Sequence, residues 1–242
     1  MKNIAVRILI VIGILIPVAA IAHYAVFPQT TRCMLIGLSD FQKHDGIYFS
    51  SQTNAATQNT VVAYVYEGEK RIESLFGSKT GNPVIIYCNT IDEFHNYGAD
   101  GNNHAVTQLS VFGEYVVING SLLDSNIIAH EMCHAELQSQ IGWYRRTTQI
   151  PTWFDEGLAM QVDWRSDFSE DSLQAAILRG AQLPKITTMK TTSLFNGGND
   201  DDVWLNYATA KLEIAKWYSM VKLKSLITML NNGYSFDVSY RQ

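Results

Sequence analysis

His130-Glu131-Met132-Cys133-His134 constrains the fold more than any other stretch of the chain. Two imidazoles four residues apart share a face on an α-helix, where 3.6 residues complete a turn. On such a face both can ligate one zinc ion, with Glu131 in reach of the ion's water. A catalytic zinc takes three protein ligands and keeps a fourth position open, so the fold must bring up a second element bearing a His, Asp or Glu. The flanks suit a helix. Tyr115-Val116-Val117-Ile118 reads as a β-branched strand, Asn119-Gly120-Ser121 as a turn, and Ser121 or Asp124 as the N-cap. The helix then runs to about Ser139, with Gly142 as its stop.

Downstream lies Ile150-Pro151-Thr152-Trp153-Phe154-Asp155-Glu156-Gly157-Leu158-Ala159, with Pro151 suited to a loop end or first helical turn and Thr152 to a cap. Glu156 follows His134 after 21 intervening residues, enough for one helix to end and a second to return antiparallel against it. It is the candidate third ligand.

H-E-x-x-H followed by W-F-D-E-G-L-A resembles the gluzincin group of zinc metallopeptidases, and especially its small bacterial peptidase MA-like branch. The resemblance covers about Ile118 to Val162, and more loosely about Val61 to Phe236. It implies His130, His134 and Glu156 as ligands of one zinc ion per chain and Glu131 as general base, the same set that the spacing indicates. Some gluzincins carry an Asp four residues after the ligand Glu to hold a histidine ring, and here that position is Met160. Asp155 and Asp163 are the candidate substitutes, though such a residue is more often simply a solvated surface acid. The family's oxyanion donor, commonly a Tyr or His on a later helix, falls in Trp204–Ala210 and makes Tyr207 the candidate. Tyr207 also shares a helical stripe with Ile214 and Trp217, which is how a core aromatic reads. Tyr144 and Tyr218 are further candidates for the donor.

The N-terminus carries the other strong pattern. Lys2 and Arg7 precede an apolar run from Ile8 to Val26, long enough to cross about 30 Å of hydrocarbon at 1.5 Å per residue. The expectation is an uncleaved anchor over residues 1–27, with a cytoplasmic N-terminus and a catalytic domain facing the periplasm or exterior. The rival is a signal peptide cut at Ala20-Ile21-Ala22, giving a secreted protein. Residues 28–40 read as a linker and 41–242 as one catalytic domain. Cys33 and Cys88 could pair in an oxidising compartment, whereas Cys133 reads as a small buried apolar residue.

Nothing in the net charge of −5 suggests nucleic-acid binding, which would call for a basic face. After an irregular stretch to about Thr57, a helix is expected over Val61–Phe76, a strand over Val84–Cys88, a short helix over Ile91–Tyr97 and a loop over Gly98–Asn103. Val106–Phe112 and Tyr115–Ile118 complete a small sheet. Thereafter come the metal helix, the Glu156 helix, and helices at Asp171–Arg179, Asp202–Tyr218 and Lys222–Asn231, with Asp200-Asp201-Asp202 capping the fourth of these. Strands first and helices afterwards indicate an α+β fold. That order resembles the zincin-like domain, in which an edge strand, here Val106–Phe112, pairs with an extended peptide. His44, His95 and His104 read as surface or hydrogen-bonded histidines, Trp143, Trp153 and Trp164 as packing around the two site helices, and Arg145 and Arg146 as solvated.

The resulting expectation is a membrane-anchored zinc metallopeptidase acting on envelope or extracellular peptides or proteins. Two alternatives stand beside it: a zincin-fold binding or scaffold module without turnover, and a hydrolase of non-peptide amide bonds. An intact Glu131 argues against the first, since a module without hydrolytic work has no need of a base there.

Overall fold

The computed structural model describes residues 2–101 and 103–242, with the side chains of 2–12 and 14 outside that description. Its elements are α1 (Lys2–Val26), α2 (Pro28–Met34), β1 (Gln42–His44), β2 (Ile47–Phe49), α3 (Ala55–Phe76), β3 (Val84–Cys88), α4 (Ile91–Tyr97), β4 (Ala105–Ser110) and β5 (Gly113–Asn119). There follow α5 (Ser125–Ile141), α6 (Trp143–Gln149), α7 (Thr152–Ala159), α8 (Glu170–Leu178), α9 (Thr192–Phe195), α10 (Asp200–Trp217), α11 (Met220–Asn231) and α12 (Phe236–Tyr240). The class is α+β as expected, although α1 and α2 precede the first strand and α3 and α4 lie among the strands.

The five strands form one mixed sheet in the order β1-β2-β3-β5-β4. β2, β3 and β5 run parallel, with α3 crossing from β2 to β3, while β4 lies antiparallel to β5 at the edge. Alternate residues of the central strands feed two cores. Ile85, Tyr87, Val116 and Ile118 join the larger one with α3 and α5. Ile86, Cys88, Tyr115 and Val117 join the smaller one with Phe94 of α4 and with Cys33 and Ile36. Cover on both faces is why V-I-I-Y-C and Y-V-V-I are continuous apolar runs rather than alternating ones.

α5 runs through the middle of the molecule, packed on α3, the sheet and α7 and buried over most of its length. Its buried Glu136 and the amide nitrogen of Gln138 find individual partners. Glu136 accepts from Thr80 N, Thr80 Oγ1, Gly81 N and Gln140 Nε2, and Gln138 donates to Ser110 O and Glu114 Oε1. α7 in turn lies against α10 with almost no gap: a Cβ on Gly157 would sit 2.7 Å from the Ala210 carbonyl oxygen and 2.7 Å from Ile214 Cγ1.

Several elements depart from the sequence reading. The stretch before Thr57 contains the β1–β2 hairpin, turned on Asp45-Gly46 with φ of 47° and 83°, the paired positive values that Asp-Gly supplies. α3 begins earlier than Val61, at Ala55, because the Asn54 side chain accepts from Thr57 N and caps it there. Residues 28–34, read as part of a linker, are helical, with Thr30 and Cys33 buried. A further helix, α6, fills the passage between the two site helices. Gly77 and Gly142 close α3 and α5 as expected, and Asn199 with Asp202 forms a capping box at α10. All three cysteines are free and buried, so the Cys33–Cys88 pairing is not made here.

The expected membrane anchor is corrected. Among the described residues no helix is long and apolar enough to cross a membrane. α1 carries Pro17 within it and His23 in its last turn. Ile8 to Ile12 and Ile14, which the expectation also used, lie outside the described side chains, as do Lys2 and Arg7. The end of α1 is tied instead to α2, through His23 Nδ1 and Thr31 Oγ1 at 2.7 Å and the Arg32 Nη2 bond to Tyr24 Oη at 3.1 Å. The envelope location that rested on the anchor is corrected with it.

Gly157→Ala tests the α7–α10 contact. Overpacking there is expected to lower stability by about 1–3 kcal/mol, read as a shifted denaturation midpoint. An unchanged midpoint would mean that the two helices part without loss.

Candidate metal centre

The helical rise of α5 sets the His130 and His134 rings on one face, centroids 4.9 Å apart and nearly perpendicular. α7 presents Glu156 opposite them. Glu156 Oε2 lies 3.2 Å from His130 Nε2 and 3.6 Å from His134 Nε2. One ligand atom from each of the three residues falls within 4.8 Å of the others, so the group could hold a metal ion. Four-coordinate zinc with ligands at 2.0–2.1 Å has ligand-to-ligand edges of roughly 3.3 Å, close to the two separations from Glu156 Oε2.

With both Nε2 atoms turned inward, each Nδ1 faces a carboxylate outside the triad. His134 Nδ1 is 2.9 Å from Asp155 Oδ1. His130 Nδ1 is 3.6 Å from Asp163 Oδ2, beyond hydrogen-bond length, and has no other partner among the described residues. Each carboxylate is held from behind by an arginine. Arg146 of α6 bonds Asp155, and Arg165 binds Asp163 through Nε at 3.0 Å and Nη2 at 2.6 Å. Two parallel chains result, Arg146–Asp155–His134 and Arg165–Asp163–His130. A carboxylate behind the imidazole fixes which nitrogen meets the metal and strengthens it as a donor.

The electrostatics follow from that arrangement. Burial disfavours the charged form of His130, but Asp163 and Glu156 outweigh it and raise the imidazole to about 9, with His134 pulling the other way. Burial likewise opposes charge on His134, and Asp155 and Glu156 outweigh it to raise this ring well above the ordinary histidine value. Burial pushes Glu156 up, yet His134 and His130 hold it far below the usual carboxylate range. Asp163 is held low against burial by His130 and Arg165, and Asp155 by Arg146 and His134.

Glu131 is half-buried on the same helix and opens on a cleft of about 380 Å³ beside His130. Tyr207 of α10 lines this cleft too, its ring centroid 6.4 Å from that of His130. Phe195 packs edge-on against Tyr207 at 4.9 Å, so the residue is both part of the helical stripe and exposed to the cleft. Burial, then the charges of Glu156 and Glu131, push its phenol well above the usual tyrosine value, which keeps the hydroxyl a donor. Tyr144 is 68% exposed and Tyr218 donates to Leu75 O; neither lines the cleft. Arg165, Phe168, Trp204 and His104 complete much of the wall.

The structure thus brings together His130, His134, Glu131, Glu156 and Tyr207. Asp155 and Asp163 face the rings rather than bulk solvent, and the fully buried Met160 has no part in orienting them. Arg146, read as solvated, is committed to Asp155, whereas Arg145 reaches backbone carbonyls of Ile141 and Asn231. His104, though hydrogen-bonded to Leu122 O as its plain reading has it, also lines the cleft. Of the three tryptophans only Trp153 is core; Trp143 is 38% and Trp164 62% exposed, the latter stacked on the Arg71 guanidinium. Arg165 carried a usable signal, a basic residue two positions past Asp163. Arg146 and Thr107, whose hydroxyl touches Glu131, carried none, because they arrive from α6 and β4.

Raised imidazoles stabilise the metal-free fold fully below the ordinary histidine value near 6.5, and that contribution is lost as pH rises through about 9 for His130. A metal requires both imidazoles neutral, so metal uptake near pH 7 is expected to release protons. Calorimetry in two buffers of different ionisation enthalpy reads this, and a buffer-independent heat would show rings already neutral. Glu156→Ala is expected to weaken metal binding about 100-fold or more, measured by chelator competition.

No family model, no curated protein and no solved structure matches the chain, so the reading of this site rests on its own geometry.

Proposed function

We propose that the chain is a gluzincin-type zinc metallopeptidase that hydrolyses peptide bonds. The observation that carries the proposal is the convergence of both Nε2 atoms on one oxygen of Glu156, with Glu131 and Tyr207 opening on the adjoining cleft. A His/His/Glu donor set suits zinc over harder cations. When bound, zinc polarises the scissile carbonyl and acidifies the attacking water.

The chain's own residues perform the rest. Glu131 accepts a proton from water as the water oxygen bonds to the carbonyl carbon. The Tyr207 hydroxyl donates a hydrogen bond to the carbonyl oxygen as its negative charge develops. Glu131 then returns the proton to the leaving nitrogen as the C–N bond breaks, which yields a carboxylic acid and an amine. Asp155 and Asp163, backed by Arg146 and Arg165, keep the ligand rings in place meanwhile. An extended peptide suits the setting, because β4 is the edge strand and lies beside Glu131 through Thr107. Strand addition would lay a backbone along that edge.

The test is cleavage of a diverse peptide library by the zinc-loaded full chain. Glu131→Gln is expected to keep its zinc and lose turnover by 10²- to 10⁴-fold. Tyr207→Phe is expected to lower kcat by about 10²-fold. A folded, zinc-bound wild type that cleaves no peptide would overturn the proposal. Wild-type turnover in Tyr207→Phe would return that residue to the core.

A further inference from the structure

Glu131 is not left to itself at the cleft. Thr107, half-buried on β4, places its Oγ1 2.7 Å from Glu131 Oε2 and 2.8 Å from the Glu131 carbonyl oxygen. A hydroxyl has a single proton to give, and the charged carboxylate is the stronger acceptor of the two. Oε2 is therefore held by the strand, while Oε1 has no hydrogen-bond partner among the described residues. The hold is stiff at its base, since a β-branched residue in a strand has little χ1 freedom, and β4 is itself locked to β5 on both sides of Thr107.

Free glutamate side chains sample many rotamers, and ordering one is opposed by conformational entropy. A general base must stay within hydrogen-bond reach of the proton that it takes. We propose that Thr107 is a positioning residue for Glu131: its hydroxyl binds Oε2, fixes the carboxylate plane and leaves Oε1 as the oxygen that takes the proton. The proposal rests on the hydrolytic reading above. It makes the edge strand part of the catalytic apparatus, through a side chain that hydrogen-bonds Glu131.

The experiment compares Thr107→Val, nearly isosteric but without the hydroxyl, with Thr107→Ser, which keeps it, in the zinc-loaded full chain. Thr107→Val is expected to lower kcat by roughly 10- to 100-fold, with KM and zinc affinity close to wild type. Thr107→Ser is expected to restore most of the rate. A purely structural role would instead show as equal losses in both variants, or as weakened zinc binding in Thr107→Val, and either overturns the proposal, as does full activity in Thr107→Val. Crystal structures of zinc-loaded wild type and Thr107→Val decide the matter independently of turnover. Displacement or disorder of the Glu131 carboxylate in the variant is expected, and an unmoved carboxylate would sink the assignment. If the wild type hydrolyses no peptide, the hydrolytic reading falls, while this structural comparison still judges the Thr107 contact.

Discussion

The structure depends on burying a cluster of ionisable side chains at the junction of α5 and α7. His130 is 6% and His134 7% exposed, and Asp163 is fully buried. Charges removed from water are tolerated only where opposite charges and hydrogen bonds compensate them. Here each imidazole lies between carboxylates, and each outer carboxylate between an imidazole and a guanidinium. The alternation compensates the charges of the cluster internally, with His130 Nδ1 alone left short of a hydrogen bond, and a divalent ion replacing the imidazole protons would preserve it.

The surrounding layers serve that junction. The sheet and α3 clamp α5 from one side, which denies it a solvated face and so demands individual partners for Glu136 and Gln138. From the other side α10 closes on α7 at Gly157, one residue from Glu156, and delivers Tyr207 to the cleft. A side chain at Gly157 would press on the crossing of the two helices that carry the third ligand and the phenol. Packing distance and site geometry are thus one quantity at that crossing.

Much of this was legible in the sequence where the governing interactions are local. The i, i+4 spacing of His130 and His134 fixes a helical face, Asp124 and Gly142 bound the helix, and the apolar runs of β3 and β5 declare covered strands. Glu156 was reachable because ligand chemistry requires a third donor. What stayed hidden depends on contacts between distant segments. Arg146 reads as surface until α6 folds it over Asp155, and Thr107 is one more strand threonine until β4 crosses Glu131. The Asp45-Gly46 hairpin was the opposite case, a local signal present in the chain and passed over within a stretch read as irregular. The apolar N-terminal run shows the limit of composition, since among the described residues no helix is long and apolar enough to cross a membrane and the end of α1 is bonded to α2.

The two Arg–Asp–His chains have a shared origin. The third ligand, both outer carboxylates and both arginines all lie between Arg146 and Arg165, while the histidines and Glu131 belong to α5 alone. The centre is therefore a joint between two contiguous pieces of polypeptide, and an ion at the joint would rivet them. Local opening of the Arg146–Arg165 segment would strip the ion of its carboxylate and both rings of their outer partners in one motion. Release of the ion and melting of that segment then become a single cooperative event, and ion occupancy sets how often the segment opens.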